Sequence, residues 1–117
     1  MMKLKLSPII FLINNAGYTI ERVIHGAFQS YNDIVPFNYE HMLPFLGNSS
    51  SEKTQAQYHK ATTKEELEAI LSKESVKQPN GVQVVEIVMD MLDVPWRLAT
   101  QVSVGGYNPS LRPVASL

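Results

Sequence analysis

Between Leu12 and Gly26 the chain reads Leu-Ile-Asn-Asn-Ala-Gly-Tyr-Thr-Ile-Glu-Arg-Val-Ile-His-Gly. An apolar run stops at two asparagines, a glycine follows, and an amphipathic stretch starts with an acid in its first turn. An asparagine side-chain oxygen and a backbone carbonyl freed beside a glycine are hard oxygen donors, suited to Mg²⁺ or Ca²⁺. The N–H groups that open a following helix favour an anion such as a phosphate. One corner could therefore hold a metal and its phosphate together. Two oxygens are too few on their own, because Mg²⁺ takes six ligands and usually a carboxylate among them. Asparagine and glycine at such a junction also serve simply as turn residues. Glu21 can be a chemical acid or a first-turn acid favoured by the helix dipole. His25, near a helix end, more often satisfies a carbonyl than does chemistry. His41 and His59 share no ligand spacing with it or with each other.

The elements that must position this corner follow from the pattern around it. Pro8 to Ile13, "PIIFLI", is a short apolar run rich in β-branched and aromatic residues, which predicts a strand buried on both faces. Gly17 breaks the chain, and Ile20, Val23 and Ile24 recur at helical spacing until Gly26. Residues 27–40 read as loop, and "NYEHMLPFLG" as a short helix limited by Pro44 and closed by Gly47. "NSSSEKTQAQ" has no apolar periodicity and reads as a solvated loop. "YHKATT" suggests a brief strand running into a helix. Thr63 with Glu66 three residues on makes a capping box, and Leu67, Ile70 and Leu71 supply one apolar face. Pro79-Asn80-Gly81 predicts a turn before a second buried strand, "VQVVEIVMDML". Asp93 is expected to cap a last helix with Pro95 in its first turn and Trp96, Leu98, Ala99 and Val102 packing.

Strands alternating with helices argue for an α/β, three-layer domain with a small, mainly parallel sheet. The first strand, if buried on both faces, needs neighbours on both edges, and too few strands are found to supply them. The domain therefore reads as partial, over residues 1–104, with residues 105–117 as a flexible tail.

Composition narrows the function. Ten basic and eleven acidic residues are mixed along 117 residues for a net charge of −1, which gives no pull toward nucleic acid or an anionic membrane. Without cysteine there are no disulfides, thiolate zinc sites or cysteine nucleophiles. The opening "MMKLKLSPIIFLI" imitates a signal peptide, but Pro8 and Asn14-Asn15 leave a poor apolar core with no small-residue cleavage site. No run approaches membrane-spanning length, and a cytoplasmic location is expected.

The run "LINNAGYTIERVIHG" resembles the second half of the thiamine diphosphate fingerprint of pyruvate, indolepyruvate and phenylpyruvate decarboxylases, in which Gly-Asp-Gly is followed some two dozen residues later by Asn-Asn. The resemblance extends through "YNDI", "FNYEHMLPFLG" and "ATTKEELEAIL" to "GVQVVEIVMDMLDVPWRLATQV", the C-terminal part of such 2-oxo acid decarboxylases. It implies that Asn15 offers its side-chain oxygen and Gly17 its carbonyl to Mg²⁺, which clamps the diphosphate of thiamine diphosphate. It further implies that Ile20 and Glu21 face the cofactor along with Asn15 and Gly17, and that Glu21 is the catalytic acid beside the carboxylate that leaves as CO₂. A carboxylate in that role needs burial and like-charge repulsion to hold a proton. Ala16 stands where many relatives carry a polar or acidic residue.

The family's metal aspartate lies in Gly-Asp-Gly, which this sequence does not contain. The pyrimidine-binding domain, with its cofactor-activating glutamate, is likewise absent from these 117 residues. The resemblance thus implies a cofactor-binding C-terminal part, inactive by itself, that a homo-oligomer or a second chain completes. Two other readings stay open: a small enzyme repurposed around Glu21 and His25 as acid and base, and a non-catalytic binding module on the same truncated fold.

Overall fold

In a computed structural model, residues 4–47 and 57–104 are described. The serine-rich segment 48–56 and the tail from Gly105, both read above as loose, lie outside the described residues, as do the side chains of residues 102–104. The chain divides into two compact units, Met1–Ile13 with Phe37–Val88, and Asn14–Pro36 with Met89–Leu117.

The first unit is built on a three-stranded sheet of order β1-β3-β2, in which β1 is Ile9–Asn14, β2 Tyr58–Ala61 and β3 Gln83–Val88. Parallel pairing sets Tyr58 against Val84 and Lys60 against Glu86. Gln83 N–H donates to the Pro8 carbonyl, and Met89 N–H to that of Asn14, so β3 runs parallel to β1 too. Because side chains alternate across a strand, adjacent valines of β3 serve opposite cores. Val85 packs with Ala61, Ile70 and Val76, beneath the helices α3 (Lys64–Ser72) and α4 (Glu74–Lys77). Val84 packs with Leu43 and Val82, on the side of the short helix α2 (Met42–Phe45). Helices on both faces of a parallel sheet give the three-layer α/β arrangement expected from the sequence.

The capping box is present in modified form. Thr63 Oγ1 accepts from Glu66 N–H at 3.2 Å, while the Glu66 carboxylate reaches back to Thr62, accepting from its N–H and its hydroxyl at 2.7 Å each. Those donors hold the Glu66 carboxyl below the ordinary carboxylate range. The turn at Glu74–Lys77, which the sequence did not announce, places Val76 in the core.

β1 departs from expectation. It is an end strand, and Phe11 and Ile13 are 52% and 56% exposed. Its apolar run matches that of a strand buried on both faces, but only Ile9 and Ile10 at its start are packed on the two cores, and among the described residues Phe11 and Ile13 stay half in solvent.

Two buried polar groups accompany the sheet. Glu86, 2% exposed, accepts from the Tyr58 hydroxyl and lies 3.8 Å from Lys60 Nζ. Burial, then the Glu86 carboxylate beside it, keeps the Tyr58 phenol protonated far beyond its ordinary range. On β2, buried His59 places Nε2 3.3 Å from Gln83 Oε1, an acceptor, so the ring donates there.

The second unit contains α1 (Thr19–His25) and α5 (Trp96–Val104). Val23 and Ala27 form its core, with Leu92 and Val94 packed on them. Asp93 does not cap α5 directly: the helix starts at Trp96, and Ala99 N–H bonds the Pro95 carbonyl. Pro95 thus precedes the first turn, where its missing N–H costs nothing.

Burial, and then the positive charge of Lys73, lower the His59 pKa from its ordinary 6.5. The folded chain therefore binds fewer protons here than the unfolded chain, and the associated stability is lost as the pH falls below about 6.5 toward the folded value. Urea unfolding between pH 7.5 and 5 should show a declining midpoint in the wild type and a flatter profile in His59→Gln. Parallel profiles would show that His59 does not carry the effect.

Candidate functional site

The corner identified in the sequence lies where β1 ends and α1 begins, within the second unit. Ligands in open α/β sheets gather at this carboxyl edge. Asn14 starts the turn, its Oδ1 accepting from Ala16 N–H at 3.3 Å. Ala16 then adopts φ of 57°, the left-handed region that residues with a Cβ seldom occupy. Gly17 follows at φ 156°, pressed against the Ser30–Asn32 turn. A Cβ on Gly17 would lie 2.2 Å from the Asn32 carbonyl oxygen and 2.7 Å from Arg22 Nη2. Only glycine fits there.

Gly17 forms a β-bridge with Asp33, through Tyr18 N–H donating to the Asn32 carbonyl at 2.9 Å. The Gly17 carbonyl stays outside this bond, and no donor reaches it among the described residues. Arg22 locks the loop. It is 2% exposed, ion-pairs with Asp33, and donates to the Ala27 carbonyl at 2.9 Å, to that of Asn32 at 3.3 Å and to that of Ala16 at 3.4 Å. Asn32 is buried as well and donates from Nδ2 to the Gly26 carbonyl at 3.3 Å. Sequence reading passed over Arg22 and took Asn32 and Asp33 only as loop residues. Arg22 lies across the helix from Ile20 and Ile24, which are exposed while it is buried, so the apolar spacing carried no signal for it.

Asn15 donates from Nδ2 to Thr19 Oγ1 at 2.7 Å, which turns its Oδ1 away from that contact. The corner thus presents two oxygens without hydrogen-bond donors among the described residues, Asn15 Oδ1 and the Gly17 carbonyl. Both have the chemistry a hard cation requires, but two oxygens fall short of the six ligands Mg²⁺ takes. No cluster of three or more His, Cys, Asp or Glu side chains suited to a metal occurs among the described residues.

Ile20 is 45% exposed. Glu21, in the first turn of α1, is 46% exposed, with its Oε2 3.3 Å from Nε2 of His25 one turn on. The burial that its expected role calls for is therefore not provided by the described residues of this chain. His25 faces a carboxylate, and no contact of its ring with a helix-end carbonyl is found among the described residues.

Two substitutions probe the loop. Gly17→Ala should destabilise the second unit by more than about 2 kcal/mol, because a backbone oxygen must move. Arg22→Met should cost about 2–4 kcal/mol, since the buried Ala27 carbonyl loses its donor while the exposed Asp33 rehydrates. Amide hydrogen exchange over residues 14–36 reads both, and unchanged protection would refute the clamp.

No family model matches the chain. Similarity to individual proteins is extensive. The chain is 41% identical over 91 residues to a pyruvate decarboxylase of Aspergillus parasiticus, which covers 78% of this chain and 16% of that protein. It is 36% identical over 92 residues to a pyruvate decarboxylase of Candida albicans, covering 79% and 15%. With pyruvate decarboxylase isozyme 1 of Saccharomyces cerevisiae it shares 31% over 101 residues, covering 86% and 17%. It thus spans about a sixth of the length of these relatives. On this similarity, and with the strand–Asn-Asn–Gly–helix corner in place, the chain is a counterpart of the C-terminal part of pyruvate decarboxylases.

Proposed function

We propose that the Asn15–Glu21 corner is half of a Mg²⁺–thiamine diphosphate site for decarboxylating a 2-oxo acid. Asn15 Oδ1 and the Gly17 carbonyl hold the cation, Ile20 lines the cofactor's side of the corner, and Glu21 faces the reacting centre. The observation that carries this reading is the pair of undonated oxygens at one strand-to-helix junction. Bound thiamine diphosphate would supply an electron sink for the electrons released as CO₂ leaves.

The 117 residues are not competent alone in this reading. A carboxylate ligand to the metal and the glutamate that activates the cofactor must come from outside them, from another polypeptide of the family. The role given to Glu21 calls for that same cover, because its side chain stands 46% exposed and water screens its interaction with a neighbouring substrate carboxylate. The uncovered Phe11 and Ile13 support a working surface for another polypeptide. They also favour a second reading, a binding module that engages a relative without taking part in catalysis. Among the described residues no helix is long and apolar enough to cross a membrane, and a cytoplasmic site of action is part of the proposal.

Titration calorimetry with thiamine diphosphate and Mg²⁺ separates these readings. Saturable binding is expected for the wild type. Asn15→Ala should weaken it at least about tenfold through the lost ligand, and Glu21→Ala should leave it nearly unchanged, because Glu21 meets substrate rather than metal. No heat at millimolar cofactor would sink the half-site and leave the binding module.

A further inference from the structure

A side-chain amide can present either end to a cation site, and only one end is a ligand. What decides the matter at Asn15 is Thr19. Its hydroxyl has one proton and two lone pairs. The Met91 carbonyl, which can only accept, lies 3.1 Å from Thr19 Oγ1 and takes that proton. Toward Asn15 the hydroxyl oxygen can then only accept, and at 2.7 Å the group it meets must be the Nδ2 amide. Oδ1 is thereby turned the other way. Reversing the amide would set two acceptors against each other, or draw the Thr19 proton away and leave the Met91 carbonyl without it.

Met91 is itself held. Asp90 Oδ1 accepts from Leu92 N–H at 2.7 Å, and the Asp90 carbonyl accepts from Asp93 N–H at 3.0 Å, which shapes the turn after β3. Met89 N–H donates to the Asn14 carbonyl at 2.9 Å, one residue before Asn15. The end of β1, the first residue of α1 and the turn after β3 therefore meet at one hydroxyl.

We infer that Thr19 is a positioning residue of the metal half-site. Polarised by the Met91 carbonyl, it fixes the Asn15 carboxamide with nitrogen inward and oxygen presented as the cation ligand. This inference rests on the reading of Asn15 as a metal ligand. An amide free to turn would spend part of its time with N–H₂ toward the cation. The bias lost with this part-buried hydrogen bond corresponds to a factor on the order of ten.

The test uses the full chain as wild type, Thr19→Val, which keeps the β-branched shape, and Thr19→Ser, which restores the hydroxyl. In ¹⁵N-labelled protein without metal, the Asn15 side-chain amide protons should exchange slowly in the wild type and in Thr19→Ser. In Thr19→Val they should exchange at least about tenfold faster, with backbone spectra otherwise superimposable. Mn²⁺ affinity in the presence of thiamine diphosphate, read by electron paramagnetic resonance, should fall about tenfold in Thr19→Val and stay within about threefold in Thr19→Ser. Equal amide exchange in wild type and Thr19→Val, or equal Mn²⁺ affinity, would overturn the inference. If the wild type takes up no Mn²⁺, it is the metal half-site that fails, and the exchange rates still decide whether Thr19 orients Asn15.

Discussion

A buried guanidinium holds the functional corner in shape. Arg22 reaches from the middle of α1 to three loop carbonyls and to Asp33, so the strand-to-helix turn and the Ser30–Asn32 turn close on one side chain. Burying a charge is costly unless it is paired and hydrogen-bonded. Here the planar fork of donors meets that condition, with Nε alone lacking a partner. The Gly17 backbone can lie against Asn32 only because that position has no side chain. Remove either requirement and the Asn15 and Gly17 oxygens no longer share a fixed frame.

The corner combines a rigid frame with an open front. Oxygens that could hold a cation are set by a network buried behind them, while Ile20, Glu21 and His25 stand half in solvent. Preorganisation of this kind places ligands before anything binds. It does not supply the dry, low-dielectric surroundings in which a carboxylic acid works beside a carboxylate. In the proposed half-site those surroundings would be contributed by a further surface.

Much of this was legible in the sequence, and the exceptions have physical causes. The capping box at Thr63, the short strand before it and the strand at residues 83–88 were announced by local pattern, which local geometry enforces. Asn15, Gly17 and Glu21 could be singled out through the resemblance of their run to a family motif, since by type alone they read equally as turn and first-turn residues. The exposure of Phe11 and Ile13 was not legible, because an apolar run records a preference for burial and not the presence of a cover. Arg22 was missed for the opposite reason. Charge on a helix predicts solvent, and its three carbonyl partners lie five to ten residues away in segments without periodicity. Thr19 reads as an ordinary first-turn residue until Met91, 72 positions on, is known to accept its proton.

Ala16 leaves a different mark. Holding an alanine in the left-handed region costs about 1 kcal/mol per residue relative to ordinary backbone, and that turn directs its carbonyl toward Arg22. The loop is therefore a spring held bent by the guanidinium behind it, and a slack clamp would let it recoil toward ordinary backbone. Its neighbours Asn15 and Gly17 carry the oxygen donors, so recoil at Ala16 would alter the spacing of both at once. Mechanical tension thus couples the fidelity of the cation corner to the integrity of a salt bridge that has no chemical part in it.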